Sequence, residues 1–294
     1  MKVWLSLPAL RPGPELVAYA RVAQETGLEG VAIGEHVVVP EQISTSYPYS
    51  GKPALIPLGS QFPDPLILLA SLGATFADLK LMTNVLIAPL RHPIDLARQT
   101  ATVAALTGGR LELGVGAGWM REEFDALAIP FERRGERLDE ILELLSELWA
   151  GEFVHHAGDF YDFPSVGLPT PPCRIPLYVG GTTEVALRRA ARSADGWVGL
   201  GLRGDDLAAV VDRLAGLVVA EERSRPPLRI RTVLKGRAGP EQIDELARIG
   251  VESVVVQGWQ VTSRGPFDEL DIAEVADGLA GLARLAERRG AGVA

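Results

Sequence analysis

The chain has 294 residues, 47% of them hydrophobic and 23% charged, a balance typical of a soluble globular protein with one large domain or two ordinary ones. Its net charge of -9, with no basic patch in the sequence, argues against a nucleic-acid partner. Apolar runs shorter than the roughly 18 residues of a membrane span argue against a membrane protein. Cys173 stands alone, which excludes an intrachain disulfide and a cysteine-based zinc site and fits a cytoplasmic protein.

Short apolar runs alternate along the chain with longer segments of helical periodicity. Pro8 ends the first run, 2–7, which is too short for a signal peptide and favours a strand. The predicted strands are 2–7, 29–34, 80–88, 110–116, 175–180, 195–200, 228–235 and 252–258. The predicted helices are 14–26, 64–76, 93–107, 134–150, 183–193, 204–222, 240–249 and 271–289.

This alternation predicts the α/β class and a single (β/α)8 barrel, a TIM barrel, over residues 1–294. A doubly wound sheet is the alternative, although it more often uses fewer strands or two domains. Two insertions interrupt the pattern. Residues 36–63 are too many for an ordinary loop after the second strand, so we expect a lid or substrate wall at the active-site face.

The second insertion, 151–172, lies between the fourth predicted helix and the fifth strand, which places it at the opposite end of the barrel. It predicts a small hairpin whose aromatic side chains cover a helix face. These aromatic residues are Phe153, Phe160, Tyr161 and Phe163.

Polar and small residues gather where the predicted strands end, at the face where barrel enzymes place their active sites. We expect them to ring one pocket. They are Glu35 and His36 after the second strand, Asn84 within the third, Gly116, Gly118 and Trp119 after the fourth, and Gly180, Gly181, Thr182 and Thr183 after the fifth.

The turn after the fifth strand is a candidate phosphate site. Its glycines allow close approach of backbone N–H groups, and the helix that follows favours an anion at its N-terminus. A tight turn with a threonine N-cap explains the same residues equally well. The segment GVGAGW (114–119) lacks the third glycine of a dinucleotide fingerprint, so a Rossmann site is not predicted.

His36 is a candidate proton carrier because an imidazole titrates near neutral pH. A hydrogen-bonded structural histidine beside a buried glutamate is the alternative. His92 either meets a phosphate together with Arg91 or caps a helix. No metal site is predicted, because His155 and His156 face differently on a strand and lack carboxylates nearby in sequence.

Four stretches carry a resemblance to a known family. They are GEHVVVPEQISTSYPYSGKP (34–53), NVLIAPLRHPIDLARQTATVAALTGGRLELGVGAGWMREEF (84–124), RRGERLDEILELLSELWAG (133–151) and PLYVGGTTEVALRRAARSADGW (176–197). Together they resemble the bacterial luciferase-like monooxygenase superfamily, and within it the probable F420-dependent oxidoreductases. The resemblance implies a barrel that binds FMN or coenzyme F420, an 8-hydroxy-5-deazaflavin, in its mouth.

The resemblance also implies roles for individual residues. Gly180, Gly181 and Thr182 match the phosphate turn, and the Asn84–Val85 pair matches the position of a non-prolyl cis peptide that backs the flavin ring. Glu35 and His36 match an acid–histidine pair, more often Asp-His, beside the pyrimidine side of the ring. Trp119 stands where the sugar-phosphate dehydrogenases of the superfamily have a catalytic glutamate, which argues against their substrate.

The implied activity is hydride transfer between C5 of the deazaflavin and a small organic substrate, with His36 as acid or base and Glu35 orienting it. An FMN-dependent two-component monooxygenase that uses reduced flavin and O2 is the alternative, and a protein that binds a flavin or a deazaflavin without catalysis is the third hypothesis. The expected partners are the substrate, a flavin or F420 reductase and a second copy of the chain. Candidate substrate-pocket residues are Tyr47, Tyr49, Phe62, Trp119 and Trp259.

Overall fold

The computed structural model describes residues 1–48, 56, 60–222, 225–265 and 269–290. The strands are β1 (Lys2–Ser6), β2 (Gly30–Ile33), β3 (Lys80–Thr83), β4 (Leu86–Ile87), β5 (Leu111–Gly116), β6 (Val154–Ala157), β7 (Asp162–Val166), β8 (Leu177–Gly180), β9 (Gly196–Gly199), β10 (Arg229–Val233) and β11 (Ser253–Gln257). The helices are α1 (Gly13–Glu25), α2 (Pro65–Thr75), α3 (Pro93–Leu106), α4 (Arg121–Ala126), α5 (Arg134–Leu148), α6 (Glu184–Ser193), α7 (Gly204–Ala220), α8 (Pro240–Ile249) and α9 (Ile272–Gly290).

Within the described residues, nine strands form a parallel sheet in the order β3-β2-β1-β11-β10-β9-β8-β5-β4. Pairing of β3 with β5 closes the sheet into a barrel, and β4 continues β3 after a break at 84–85. Along the chain, at least one helix follows each strand of the barrel, with β3 and β4 counted as one strand. The (β/α)8 prediction is confirmed, and the doubly wound alternative is wrong because that sheet would stay open.

The predicted elements agree with the structure within about two residues at either end, apart from the break in the third strand. The helix α4 was not predicted, because its 6 residues are too few to show a helical period. Gly27, Gly151 and Gly250 follow helices with positive φ angles, as expected for residues that terminate them.

The inside of the barrel is filled below its mouth. Seven buried side chains form a cluster separate from the main core between strands and helices: Trp4, Ala32, Met82, Tyr178, Val198, Val233 and Val255. Beside them the Arg231 guanidinium lies 4.1 Å from the Trp4 ring centre and 4.5 Å from that of Tyr178. Glu112 Oε2 lies 2.9 Å from Arg231 Nη1, without the alignment of a hydrogen bond. A ligand is therefore confined to the mouth.

The second insertion forms the predicted hairpin, with β6 antiparallel to β7. The prediction that it lies at the opposite end of the barrel holds only for its two ends, since Cys173, directly after it, contacts the carbonyl of Gly109 before β5. The chain turns back along α5, so that the N–H groups of Phe160 and Tyr161 donate to Glu140 at 3.1 and 2.9 Å. The Tyr161 hydroxyl then donates to the carbonyl of Arg91, at 3.3 Å, beside the mouth.

Only part of the predicted aromatic cover holds. Tyr161 and Phe163 are buried, and Phe160 lies against the guanidinium groups of Arg133 and Arg137. Phe153, by contrast, is 81% exposed and covers no helix.

Candidate active site

His36 lies at the barrel mouth, where a glutamate that the sequence analysis did not single out holds its ring. His36 Nδ1 is 3.1 Å from Oε2 of Glu123. The other oxygen of Glu123 accepts the N–H of Val37 at 2.7 Å. The Glu123 side chain is 0% exposed, so these two contacts replace its hydration. A carboxylate that is ionised only accepts, so an ionised Glu123 would place the proton of a neutral His36 on Nδ1 and leave Nε2 as an acceptor.

Glu35 does not orient His36, and that prediction is corrected. One oxygen of Glu35 accepts the N–H of Ile87 at 2.8 Å and Nη1 of Arg91 at 2.9 Å. The other lies 2.5 Å from Nη2 of Arg91, which also reaches Asp64 at 3.2 Å. Neighbouring side chains on an extended segment point in opposite directions, so the residue next to a histidine in sequence is poorly placed to bind it. Glu35 ties the end of β2 to the segment after β3.

Arg91 and His92 are also engaged within the fold. Burial lowers the pKa of Arg91, but its contacts with Glu35 and Asp64 outweigh that effect and raise the pKa above its ordinary value. His92 Nδ1 accepts the N–H of Ile94 at 3.3 Å, at the start of α3. The capping alternative for His92 is confirmed. Arg91 binds the carboxylates of Glu35 and Asp64 rather than a phosphate.

The floor of the mouth is small and aliphatic. The Asn84–Val85 peptide bond is cis. A Cβ atom on Gly116 would lie 2.9 Å from Val85 Cγ2, and one on Gly180 would lie 3.2 Å from Val85 Cγ1. Glycine at these two strand ends therefore leaves room for the Val85 side chain between them. The result is an aliphatic surface bordered by bare backbone, which fits a flat ring.

The turn after β8 is shaped by a buried tryptophan. Gly181 has a φ of 113°, a conformation that favours glycine, and its carbonyl accepts the indole N–H of Trp197 at 2.8 Å. Because the C=O and N–H of a trans peptide point in opposite directions, the Thr182 N–H points away from that indole. The Thr183 hydroxyl accepts the N–H of Ala186 at 3.3 Å and caps α6. The threonine cap considered above is thus present, and it leaves Thr182 as the other hydroxyl of the turn.

Aromatic side chains form one wall of the mouth. The ring of His36 meets those of Phe62 and Trp119 edge to face, with centroids 5.2 and 5.7 Å apart, and Trp119 meets Tyr47 at 5.1 Å. Three of the residues predicted for the substrate pocket therefore lie together beside His36. Trp259 donates its indole N–H to Gln257 at the end of β11. Tyr49 lies outside the described residues, with the rest of 49–55 and 57–59.

Helix α4 holds the first insertion through Glu122, the neighbour of Glu123. Glu122 accepts the N–H and hydroxyl of Ser44, both at 2.7 Å, and the N–H and hydroxyl of Thr45 at 3.0 and 2.9 Å. Burial raises the pKa of Glu122, but these hydrogen bonds outweigh it and lower the pKa to about 2. The carboxylate is therefore ionised at neutral pH and anchors the loop beside the aromatic wall.

Gly118 begins the turn into α4 with a φ of 83°. A Cβ atom at Gly118 would lie 2.8 Å from both Ile87 and Phe124. The carbonyl of Gly118 accepts a hydrogen bond from Nε of Arg134 at 2.9 Å. These contacts place Gly118 against the protein on that side; its predicted contact with a cofactor stays a prediction.

The signal for Glu123 in the sequence is only the segment REEF after Trp119, since its partner lies 87 residues away.

The structure also bears on metal binding and on membrane spanning. Among the residues that it describes, no three His, Cys, Asp or Glu side chains are grouped to hold a metal ion. His156 instead meets Glu140 at 2.9 Å. In the described part of the chain, no helix has both the length and the apolar composition to span a bilayer.

A closed parallel barrel with a glycine-bordered floor and a glutamate-held histidine in its mouth has its polar groups where barrel enzymes place their active sites. The luciferase-like monooxygenase family matches residues 3–255, and the chain belongs to this family. An uncharacterized protein of Mycobacterium tuberculosis is 33% identical over 258 residues, which cover 86% of this chain and 88% of that protein. The F420-dependent glucose-6-phosphate dehydrogenase of Nakamurella multipartita is 33% identical over 191 residues, 63% of this chain and 52% of that protein.

Solved structures share the fold. The monooxygenase RslO1 from Streptomyces bottropensis has a TM-score of 0.78 at 20% identity, covering 99% of this chain and 100% of that one. The coenzyme F420-dependent tetrahydromethanopterin reductase from Methanopyrus kandleri has a TM-score of 0.71 at 16% identity, covering 95% and 97%. The oxygenating constituent of 3,6-diketocamphane monooxygenase from Pseudomonas putida, in complex with FMN, has a TM-score of 0.63 at 18% identity, covering 82% and 68%.

Proposed function

We propose that the protein is a coenzyme F420-dependent oxidoreductase that acts on a small organic substrate. The observation that carries this proposal is His36, whose Nδ1 meets Glu123 at 3.1 Å, at a mouth floored by Val85, Gly116 and Gly180. The preference for coenzyme F420 is supported by the F420-dependent dehydrogenase of Nakamurella and the F420-dependent reductase of Methanopyrus.

The residues of the mouth fit a ring with a phosphate-bearing side chain. Val85 and the glycines beside it would lie under the ring, and the N–H and hydroxyl of Thr182 would bind the phosphate. When bound, the deazaflavin would supply the centre that exchanges a hydride with a substrate carbon. His36 would take the proton of a substrate O–H or N–H at Nε2, and Glu123 would stabilise the imidazolium.

The substrate is expected to be apolar or aromatic on one side, because Phe62, Trp119 and Tyr47 line the wall beside His36. Trp119 provides no carboxylate, so oxidation of a sugar phosphate is not expected. Homodimerisation and a separate reductase stay predictions.

An FMN-dependent two-component monooxygenase is the second candidate. The FMN complex of the Pseudomonas enzyme and the monooxygenase from Streptomyces share the fold and support it. The phosphate turn serves both cofactors equally, since their phosphate and ribityl regions are alike.

Titration of the purified protein with F420 and with FMN separately, following coenzyme fluorescence, tests the choice. We expect F420 to bind more tightly, and Thr182→Val to weaken that binding through loss of a hydrogen bond to the phosphate. Tight binding of FMN without binding of F420 would overturn the first proposal in favour of the second.

A further inference from the structure

The two oxygens of Glu123 have unequal partners. One oxygen accepts the N–H of Val37 at 2.7 Å, and a backbone N–H can only donate. The other faces Nδ1 of His36 at 3.1 Å, and the whole side chain is buried. The Val37 N–H therefore determines which oxygen is available to the imidazole.

From this arrangement we infer that Glu123 is a positioning residue that selects the protonated nitrogen of His36, keeping the proton on Nδ1 and the lone pair on Nε2. Only the consequence for turnover rests on the proposed function. The tautomer itself follows from the hydrogen bonds of the protein.

Replacement of Glu123 by Gln reverses the selection without changing the size of the side chain. The amide oxygen must face the Val37 N–H, so the amide NH2 faces Nδ1 of His36. Nδ1 then accepts, and the proton of the neutral ring moves to Nε2. A base at Nε2 is thereby replaced by a donor.

Glu122, the adjacent residue on α4, supplies a matched control. Its partners are the N–H groups and hydroxyls of Ser44 and Thr45. In Glu122→Gln the oxygen can keep the N–H groups, while the Thr45 hydroxyl can rotate and accept from the amide. Glu122→Gln therefore removes the same charge from the same helix without changing the partner of His36.

The experiment is long-range 1H–15N NMR of the histidine side chains in the purified protein, at a pH where the rings are neutral. The chain has 4 histidines, so the His36 signals can be identified by their loss in His36→Gln. We expect the Nδ1–H tautomer in the natural protein and in Glu122→Gln, and the Nε2–H tautomer in Glu123→Gln. An Nε2–H tautomer in the natural protein, no change in Glu123→Gln, or the same change in both variants would overturn the inference.

Kinetics then separate this inference from the proposed function. With a substrate that is turned over, Glu123→Gln should lower kcat about 100-fold or more with little change in KM, because proton transfer fails while binding is kept. An unchanged kcat would overturn the positioning role in turnover. A switched tautomer in a protein that neither binds F420 nor turns over any substrate with it would overturn the proposed function and still support the tautomer selection.

Discussion

Single residues at the mouth carry the chemistry in the proposed function, and His36 is the first to test. Glutamine keeps a hydrogen-bonding side chain there but cannot take up a proton, so we expect His36→Gln to lower turnover roughly 10²- to 10⁴-fold. The dissociation constant for the coenzyme should change little, because the Val85 floor and the Gly181 turn are untouched. Steady-state kinetics and fluorescence titration measure the two effects, with His155→Gln, at an exposed position, as the control. Full activity of His36→Gln would rule out its role.

The ionised Glu122 predicts how the loop responds to acid. Its pKa is lowered from an ordinary value near 4.5 to about 2, so its contribution to stability is complete above about pH 4.5 and is lost as the pH falls toward 2. Glu122→Gln does not titrate. The difference in midpoint of thermal unfolding between the two proteins should therefore be largest at neutral pH and shrink below about pH 4.5. A difference that stays constant down to about pH 3 would contradict this account.

At the scale of elements, the hairpin β6–β7 is held on α5 by one carboxylate. Glu140 accepts the N–H groups of Phe160 and Tyr161 and meets His156 at 2.9 Å. Glu140→Ala leaves these donors without their acceptor and should cost about 1–3 kcal/mol in the free energy of unfolding. Urea denaturation measures the loss, and limited proteolysis should detect opening of the hairpin turn.

Phe153 is the natural comparison for this hairpin. Its side chain is 81% exposed, so Phe153→Ala should change the free energy of unfolding by no more than about 0.5 kcal/mol. If Phe153→Ala cost as much as Glu140→Ala, the docking of the hairpin would have to involve Phe153.

The elements also show which features a local pattern can reveal. Strand β11 is predicted by a continuous apolar run and helix α5 by the apolar period of its buried face, each within two residues of the observed ends. The helix α4, with 6 residues, and the path of the hairpin along α5 had no such signal. Both depend on contacts between residues far apart in the chain.

On the scale of the whole molecule, the barrel interior contains a buried ion pair. Arg231 lies 2.9 Å from Glu112, and both side chains are at most 5% exposed. Arg231→Met leaves the Glu112 carboxylate buried without a counter-charge and should cost about 3–5 kcal/mol. Replacing Glu112 by Leu as well should recover most of that cost, as measured by urea denaturation. Equal destabilisation of the single and double variants would show that the charge of Glu112 is not the cause.

The sequence by itself determined the barrel, its element boundaries and the residue types at its mouth, because hydrophobic periodicity and turn residues are local properties of the chain. It also indicated His36 as the proton carrier of the proposed function. Only the tertiary structure decided the partners: Arg91 for Glu35, and Glu123 for His36. Carboxylates next to each other in sequence, such as Glu122 and Glu123, bind different parts of the same loop, and a hydrogen bond over 87 residues leaves no trace in a local pattern.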